Sequence, residues 1–267
     1  MNECSQKFDF AKPVFKHIPT EREIIVPVSG GKDSTAALIL ALQNFDKDKI
    51  IPLHYYTGFD HPKTYEYLDY IEEKTGIEIQ HTVYEEAPTM ADLIRKMGKF
   101  PNRAMRRCTG RFKQVAVMRW FKENNFYNER KGQVWLGLRS DESHQRKKRY
   151  GDRDSSEIHS YKEVFPDIPK SLDKNVNLRF PVMDWSTQDC FDLIRQHGWK
   201  RNPLYEEGSN RVGCYPCLLA TKKIQKKEFS TEFGQKQIKL IRDLEKELNI
   251  KYEMFEEDQG SCEVCNI

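Results

Sequence analysis

The chain has 267 residues, with 44 basic against 41 acidic side chains, a net charge of +3, 38% apolar residues and 32% charged ones. That length suffices for one α/β domain with extensions and a sizeable core. So even a charge balance does not by itself argue for nucleic acid or a membrane surface. Residues 1–7 lack a basic-then-apolar leader pattern, and no apolar run of membrane-spanning length occurs, so a cytoplasmic protein without a membrane partner is expected.

In chain order, residues 24–28 (Ile-Ile-Val-Pro-Val) predict a buried strand and residues 35–42 a helix. Between them stands Ser29-Gly30-Gly31-Lys32-Asp33-Ser34. A strand, a glycine turn and a helix N-terminus together converge backbone N–H groups on an anion, and the helix dipole favours negative charge there. Gly30 and Gly31 let the backbone approach a phosphate, Lys32 brings a point charge, and Ser29 and Ser34 bring hydroxyls. The plainer reading is a glycine turn with Asp33 or Ser34 as helix cap. The Walker A spacing is absent.

Residues 50–56 predict a second strand, Thr57-Gly58 a turn, and residues 62–74 a helix stopped by Gly76. A third strand is expected over 77–83, a helix over 111–125 and a fourth strand over 134–138. Residues 147–177 are charged and irregular, and read as a surface insert or lid. Residues 179–183 suggest a last edge strand. Ser186 caps a helix running to His197, with Asp189 at capping-box spacing. Residues 224–256 read as amphipathic helix.

This alternation predicts an α/β fold, an open, mostly parallel twisted sheet flanked by helices in the Rossmann-like manner. A nucleotide-binding domain over 1–183 and a C-terminal helical region with Cys-x-x-Cys and a tail over 184–267 are expected. Basic clusters at Arg103/Arg106/Arg107, 146–149 and Lys222/Lys223/Lys226/Lys227 suit either solvated faces or an anionic nucleotide, tRNA or DNA.

Cysteines stand at positions 4, 108, 190, 214, 217, 262 and 265. An odd number in a chain of this composition favours metal or redox chemistry over a disulfide framework. Cys214-Tyr-Pro-Cys217 has ligand spacing, and Cys108 offers a third thiolate for iron–sulfur or zinc, against inert buried thiols. Cys190, at an apolar helical position, reads as core.

The Ser29–Ser34 hexapeptide resembles the PP-loop of ATP pyrophosphatases, which cleave ATP between the α- and β-phosphates. Four further stretches sharpen the resemblance: residues 56–65 (Tyr-Thr-Gly-Phe-Asp-His-Pro-Lys-Thr-Tyr), Arg107-Cys108-Thr109-Gly110-Arg111, Gly137-Leu138-Arg139 with Ser140 to Arg146, and Asn202-Pro203-Leu204-Tyr205 running on to Cys217. Together they resemble the phosphoadenosine-phosphosulfate (PAPS) reductase family over roughly residues 22–220.

The resemblance implies that Ser29, Gly30, Gly31, Lys32, Asp33, Ser34, Thr57, Gly58, Gly137, Glu142 and Ser143 bind ATP or PAPS with magnesium. Strand ends converge on ligands in such sheets, so loops 29–34, 57–60 and 139–146 are expected at one crevice. Lys32, Asp33, Arg139 and Arg146 are the expected catalytic set, the arginines as planar forks for phosphate or sulfate. The alternative has Asp141 and Glu142 simply pairing with neighbouring arginines. Iron–sulfur members of the family carry a Cys-Cys pair where this chain has Arg107-Cys108. A [4Fe–4S] cluster on Cys108, Cys214 and Cys217 is therefore one ligand short, to be supplied by Cys4, Cys262 or Cys265 or left open, with zinc as the competing metal.

The tail pair Cys262 and Cys265 lacks the Glu-Cys-Gly-Leu-His surroundings of a reductase nucleophile. The complete loop favours adenylylation of an acceptor, a tRNA or DNA in a sulfur-transfer reaction with a sulfur donor. The alternatives are a PAPS or adenylyl-sulfate reductase served by a thiol reductant protein, and a non-catalytic nucleotide regulator. Relatives of this kind are often homodimers.

Overall fold

A computed structural model describes residues 21–102, 106–142, 144–151 and 153–250 of the protein. They divide into two compact units. The first holds residues to Tyr55, Pro62–Thr82 and Ala116–Gly213; the second holds Tyr56–His61, Val83–Val115 and the residues from Cys214 on.

The first unit carries strands β1 (Glu23–Pro27), β2 (Ile50–Tyr55), β3 (Gln80–Thr82), β4 (Gly132–Trp135), β5 (His159–Ser160) and β6 (Val176–Arg179). Its helices are α1 (Lys32–Asn44) and α2 (Pro62–Thr75), then, past α3 of the second unit (Met90–Met97), α4 (Ala116–Glu123), α5 (His144–Tyr150), α6 (Tyr161–Val164), α7 (Lys170–Asn175) and α8 (Thr187–Gln196). The sheet order is β3-β2-β1-β4-β6-β5, parallel throughout except for β5, which pairs antiparallel at the edge.

β1 is the central strand, and its near-continuous apolar run reflects helices on both faces. Alternation sends Ile24, Val26 and Val28 into a core with α1, α2, Trp135 and α8. Ile25 goes to the opposite core with Ile51, Leu53, Val117, Trp120 and Phe121. α1 is buried from Thr35 to Ala41 because α8 packs against it. Each fully buried Ile or Leu here contributes about 1.5–3 kcal/mol.

Several expectations change in detail: the third and fourth strands lie over Gln80–Thr82 and Gly132–Trp135 instead of 77–83 and 134–138. The last strand lies over Val176–Arg179, not 179–183, and it is not the edge, since β5 continues the sheet. Phe180–Met183 turns instead, and Pro181 has no N–H to give a ladder. The stretch 147–177 contains the end of α5 together with β5, α6 and α7, so it is a structured sheet-edge excursion. α8, expected with a C-terminal region beginning at 184, packs on α1 within the first unit.

In the second unit, α3 begins with a capping box in which Thr89 and Asp92 satisfy each other's backbone N–H. The amphipathic stretch after 224 is two helices, α9 (Lys222–Phe229) and α10 (Glu232–Glu247). Thr231 interrupts it by accepting the Gly234 N–H at 3.0 Å as a new N-cap. α10 packs on α9 and α3. Among the described residues no helix is long and apolar enough to cross a membrane.

Candidate functional site

The loop between β1 and α1 is fixed by its own hydroxyls. Ser34 Oγ donates to the Gly31 carbonyl at 3.0 Å and accepts the Ser29 N–H at 3.2 Å, and the two serine oxygens lie 3.2 Å apart. Gly30 has φ +72°, and a Cβ there would stand 2.9 Å from Thr64 Cγ2, so the turn requires glycine. The Asn202 amide donates to the Gly30 carbonyl at 3.2 Å, and the Lys32 N–H donates to the Tyr205 hydroxyl at 2.9 Å.

Lys32 is 5% exposed, and its Nζ lies 3.2 Å from Asp33 Oδ2. The other Asp33 oxygen accepts Arg139 Nε at 2.5 Å and faces the buried Cys190 Sγ at 3.5 Å. Arg139, 4% exposed, also donates to the Trp185 carbonyl at 3.2 Å and to Thr187 Oγ1 at 2.9 Å. Burial opposes its charge, but Asp33 outweighs burial and holds the guanidinium above its ordinary value. Arg139 thus ties the start of α1 to the start of α8. Its fork, expected open for phosphate, is spent on Asp33 and α8. Cys190 belongs to the core as read, and burial followed by the Asp33 charge pushes its thiol far up.

Gly137 sits so close to α1 that a Cβ would fall 2.6 Å from the Asp33 carbonyl oxygen and the Ser34 Cα. Its place is one of packing behind the loop. Glu142 pairs with Arg146 four residues on, the alternative the sequence left open, and its charge also acts on Arg139 and Tyr205. Ser143 lies outside the described residues, as do Cys4, Cys262 and Cys265.

The remaining expected residues gather in the second unit. Thr57 Oγ1 donates to Asp60 Oδ2 at 2.7 Å and accepts the Phe59 N–H at 3.1 Å. The Thr57 carbonyl accepts the Met90 N–H at 2.8 Å, and Gly58 lies against Thr89. Cys214 pairs with Asp60 through an antiparallel bridge, and its Sγ donates to Thr57 Oγ1 at 3.6 Å. The Cys217 N–H donates to Glu228 Oε2 at 3.3 Å, and Gln225 Nε2 donates to the Cys217 carbonyl at 3.2 Å.

Burial, then the Asp60 charge, pushes the Cys214 thiol up to about 12; burial also raises Cys108, and Cys217 acts on both. Three thiols in one unit make a donor set suited to a thiophilic metal. Among the described residues, however, no three Cys, His, Asp or Glu side chains are gathered closely enough to hold an ion.

A mostly parallel sheet whose glycine loop feeds a helix N-terminus is an arrangement common to phosphate-binding α/β folds. Residues 23–220 match the model of the phosphoadenosine phosphosulfate reductase domain, and the chain belongs to that family. An uncharacterized 37.8 kDa protein of Escherichia phage 186 is 29% identical over 241 residues, 74% of this chain and 67% of that protein. The phosphoadenosine 5'-phosphosulfate reductase of Erwinia tasmaniensis is 26% identical over 179 residues, 67% of this chain and 64% of the relative. The crystal structure of a phosphoadenylyl-sulfate (PAPS) reductase from Candida auris superimposes with a TM-score of 0.53 at 12% identity, over 75% of this chain and 83% of that one.

Asn202 and Tyr205, partners of the loop, and Thr187, a partner of Arg139, had no role assigned from the sequence. Asn202 and Tyr205 lay inside a quoted motif, 172 and 173 residues from their loop partners, and only the fold discloses the pairing.

Proposed function

We propose that the chain binds ATP by its phosphates at Ser29–Ser34 and cleaves it between the α- and β-phosphorus to adenylylate an acceptor in a sulfur-transfer reaction. The complete loop carries this reading: its geometry is built and braced, and Lys32 stands at the helix N-terminus. An acceptor oxygen would attack the α-phosphorus, the bond to the bridging oxygen would break, and pyrophosphate would leave with that electron pair. Such a step needs positioned positive charge more than covalent catalysis. Lys32 supplies it, held by Asp33, which Arg139 fixes in turn; magnesium enters as part of the Mg-ATP substrate. A tRNA or DNA strand is the acceptor class this reading favours, with a separate sulfur donor.

Cys108, Cys214 and Cys217 would be the protein ligands of a [4Fe–4S] cluster or zinc. Their donor chemistry supports that assignment, although the sulfurs as they stand do not close on one ion. When bound, an iron–sulfur cluster would offer a place to hold sulfide.

The similarity to phosphoadenosine 5'-phosphosulfate reductases supports a second reading, reduction of PAPS or adenylyl sulfate to sulfite by a thiol reductant. Anaerobically purified protein is given Mg-ATP with total tRNA or DNA in one tube, and PAPS with a thiol reductant in another, and products are separated by chromatography. AMP and pyrophosphate without sulfite is the expected result. Sulfite from PAPS with ATP untouched would replace the first reading by the second.

A further inference from the structure

We propose that Tyr205 is a working part of the phosphate loop, its hydroxyl accepting the Lys32 backbone N–H and turning its own proton toward the anion the loop holds. This rests on the phosphate-binding reading and extends it to a residue 173 positions away in the chain.

The N-cap of α1 is Gly31, which has no side chain to satisfy the first helical N–H groups. Tyr205 supplies the missing oxygen from outside, at 2.9 Å from the Lys32 nitrogen. A Cβ added at Gly31 would meet that same oxygen at 3.4 Å, so the phenol lies directly against the loop.

The placement is built rather than incidental. Asn202 caps the Pro203–Tyr205 turn by accepting the Leu204 N–H at 3.0 Å, and its amide reaches the Gly30 carbonyl at 3.2 Å. The Tyr205 ring meets Phe191 edge-on at 5.1 Å, and the Lys32 ammonium lies 5.8 Å from its centroid. One short turn thereby grips both the Gly30 carbonyl and the Lys32 N–H of the loop.

A phenol that accepts from an N–H keeps its own hydrogen. Among the described residues no hydrogen bond takes it up. Burial holds the phenol well above its usual range, so the hydrogen stays on the oxygen at working pH. The hydroxyl therefore has a hydrogen left to donate beside Lys32, as a phosphate oxygen requires.

The test compares the parent chain with Tyr205→Phe, which keeps the ring and its packing, using inorganic pyrophosphate and Mg-ATP as calorimetric probes. The variant should melt near the parent, yet bind both probes about tenfold more weakly, as the loss of a hydrogen bond to a charged group implies. Exchange of the Lys32 amide should also be faster in the ligand-free variant. In the parent labelled with 13C-tyrosine, the Tyr205 Cζ resonance should move on adding pyrophosphate, a readout that does not depend on the variant folding. A parent that binds, with Tyr205→Phe binding as tightly or more tightly, or a Tyr205 resonance that stays still, overturns the proposal alone. A parent that binds neither probe overturns the phosphate reading and the proposal with it.

Discussion

The Ser29–Ser34 loop and the cysteine region handle their polar groups in opposite ways. At the loop, the charged side chains already have protein partners: Asp33 takes Lys32, Arg139 and the Cys190 thiol, and Arg139 continues to α8. In the second unit, burial raises the Cys108 and Cys214 thiols, and among the described residues no three ligands converge. A pre-paired site can receive an anion without rearranging itself. A set of unassembled thiols has its work ahead of it, because a metal must first take their protons and draw them together.

The sharpest way to break this contrast is to remove Arg139. Arg139→Ala leaves Asp33 largely buried beside one cation and cuts the link to α8, so it should cost about 3–5 kcal/mol of stability in urea titration. A loss under ~1 kcal/mol would mean that the pair is not the brace described here.

Cys217→Ser should leave Mg-ATP affinity within about twofold while abolishing iron or zinc retained by anaerobically prepared protein. Unchanged metal content would remove the cysteines from the metal assignment. A simultaneous loss of ATP binding would erase the distinction between the two regions.

The smallest effect concerns pH. The folded Cys190 thiol is raised by burial, whereas in the unfolded chain it releases its proton near ~8.5. Above that value the unfolded state binds fewer protons than the native one, so stability falls as pH rises. Cys190→Ala should flatten the decline between about pH 9 and 10 in melting curves. Equal slopes for parent and variant would mean that burial does not hold the Cys190 thiol protonated.

Much of this was legible in the chain. The apolar run at 24–28 and the hexapeptide after it define strand, turn and helix locally, and the loop forms where they predict. The capping box of Ser186 and Asp189 likewise forms with both of its hydrogen bonds. The last strand was misplaced because Arg179-Phe-Pro-Val-Met alternates like an edge strand, while Val176–Arg179 is disclosed only by its pairing with β4 and β5. Thr89 and Asp92 carried a readable helix-start signal that went unused for α3. Arg139 was recognisable as an important cation, but its engagement by Asp33, Trp185 and Thr187 is tertiary and leaves no mark on local sequence. The same holds for Asn202 and Tyr205.

Isothermal titration of Mg-ATP into the parent and Lys32→Ala decides whether the Ser29–Ser34 loop holds nucleotide phosphate through Lys32. Lys32→Ala should bind at least about tenfold more weakly, and lose less stability than Arg139→Ala because Asp33 keeps Arg139 and the link to α8 stays intact. Equal affinity in the two proteins would contradict the account, since ATP would then be held without this loop's cation.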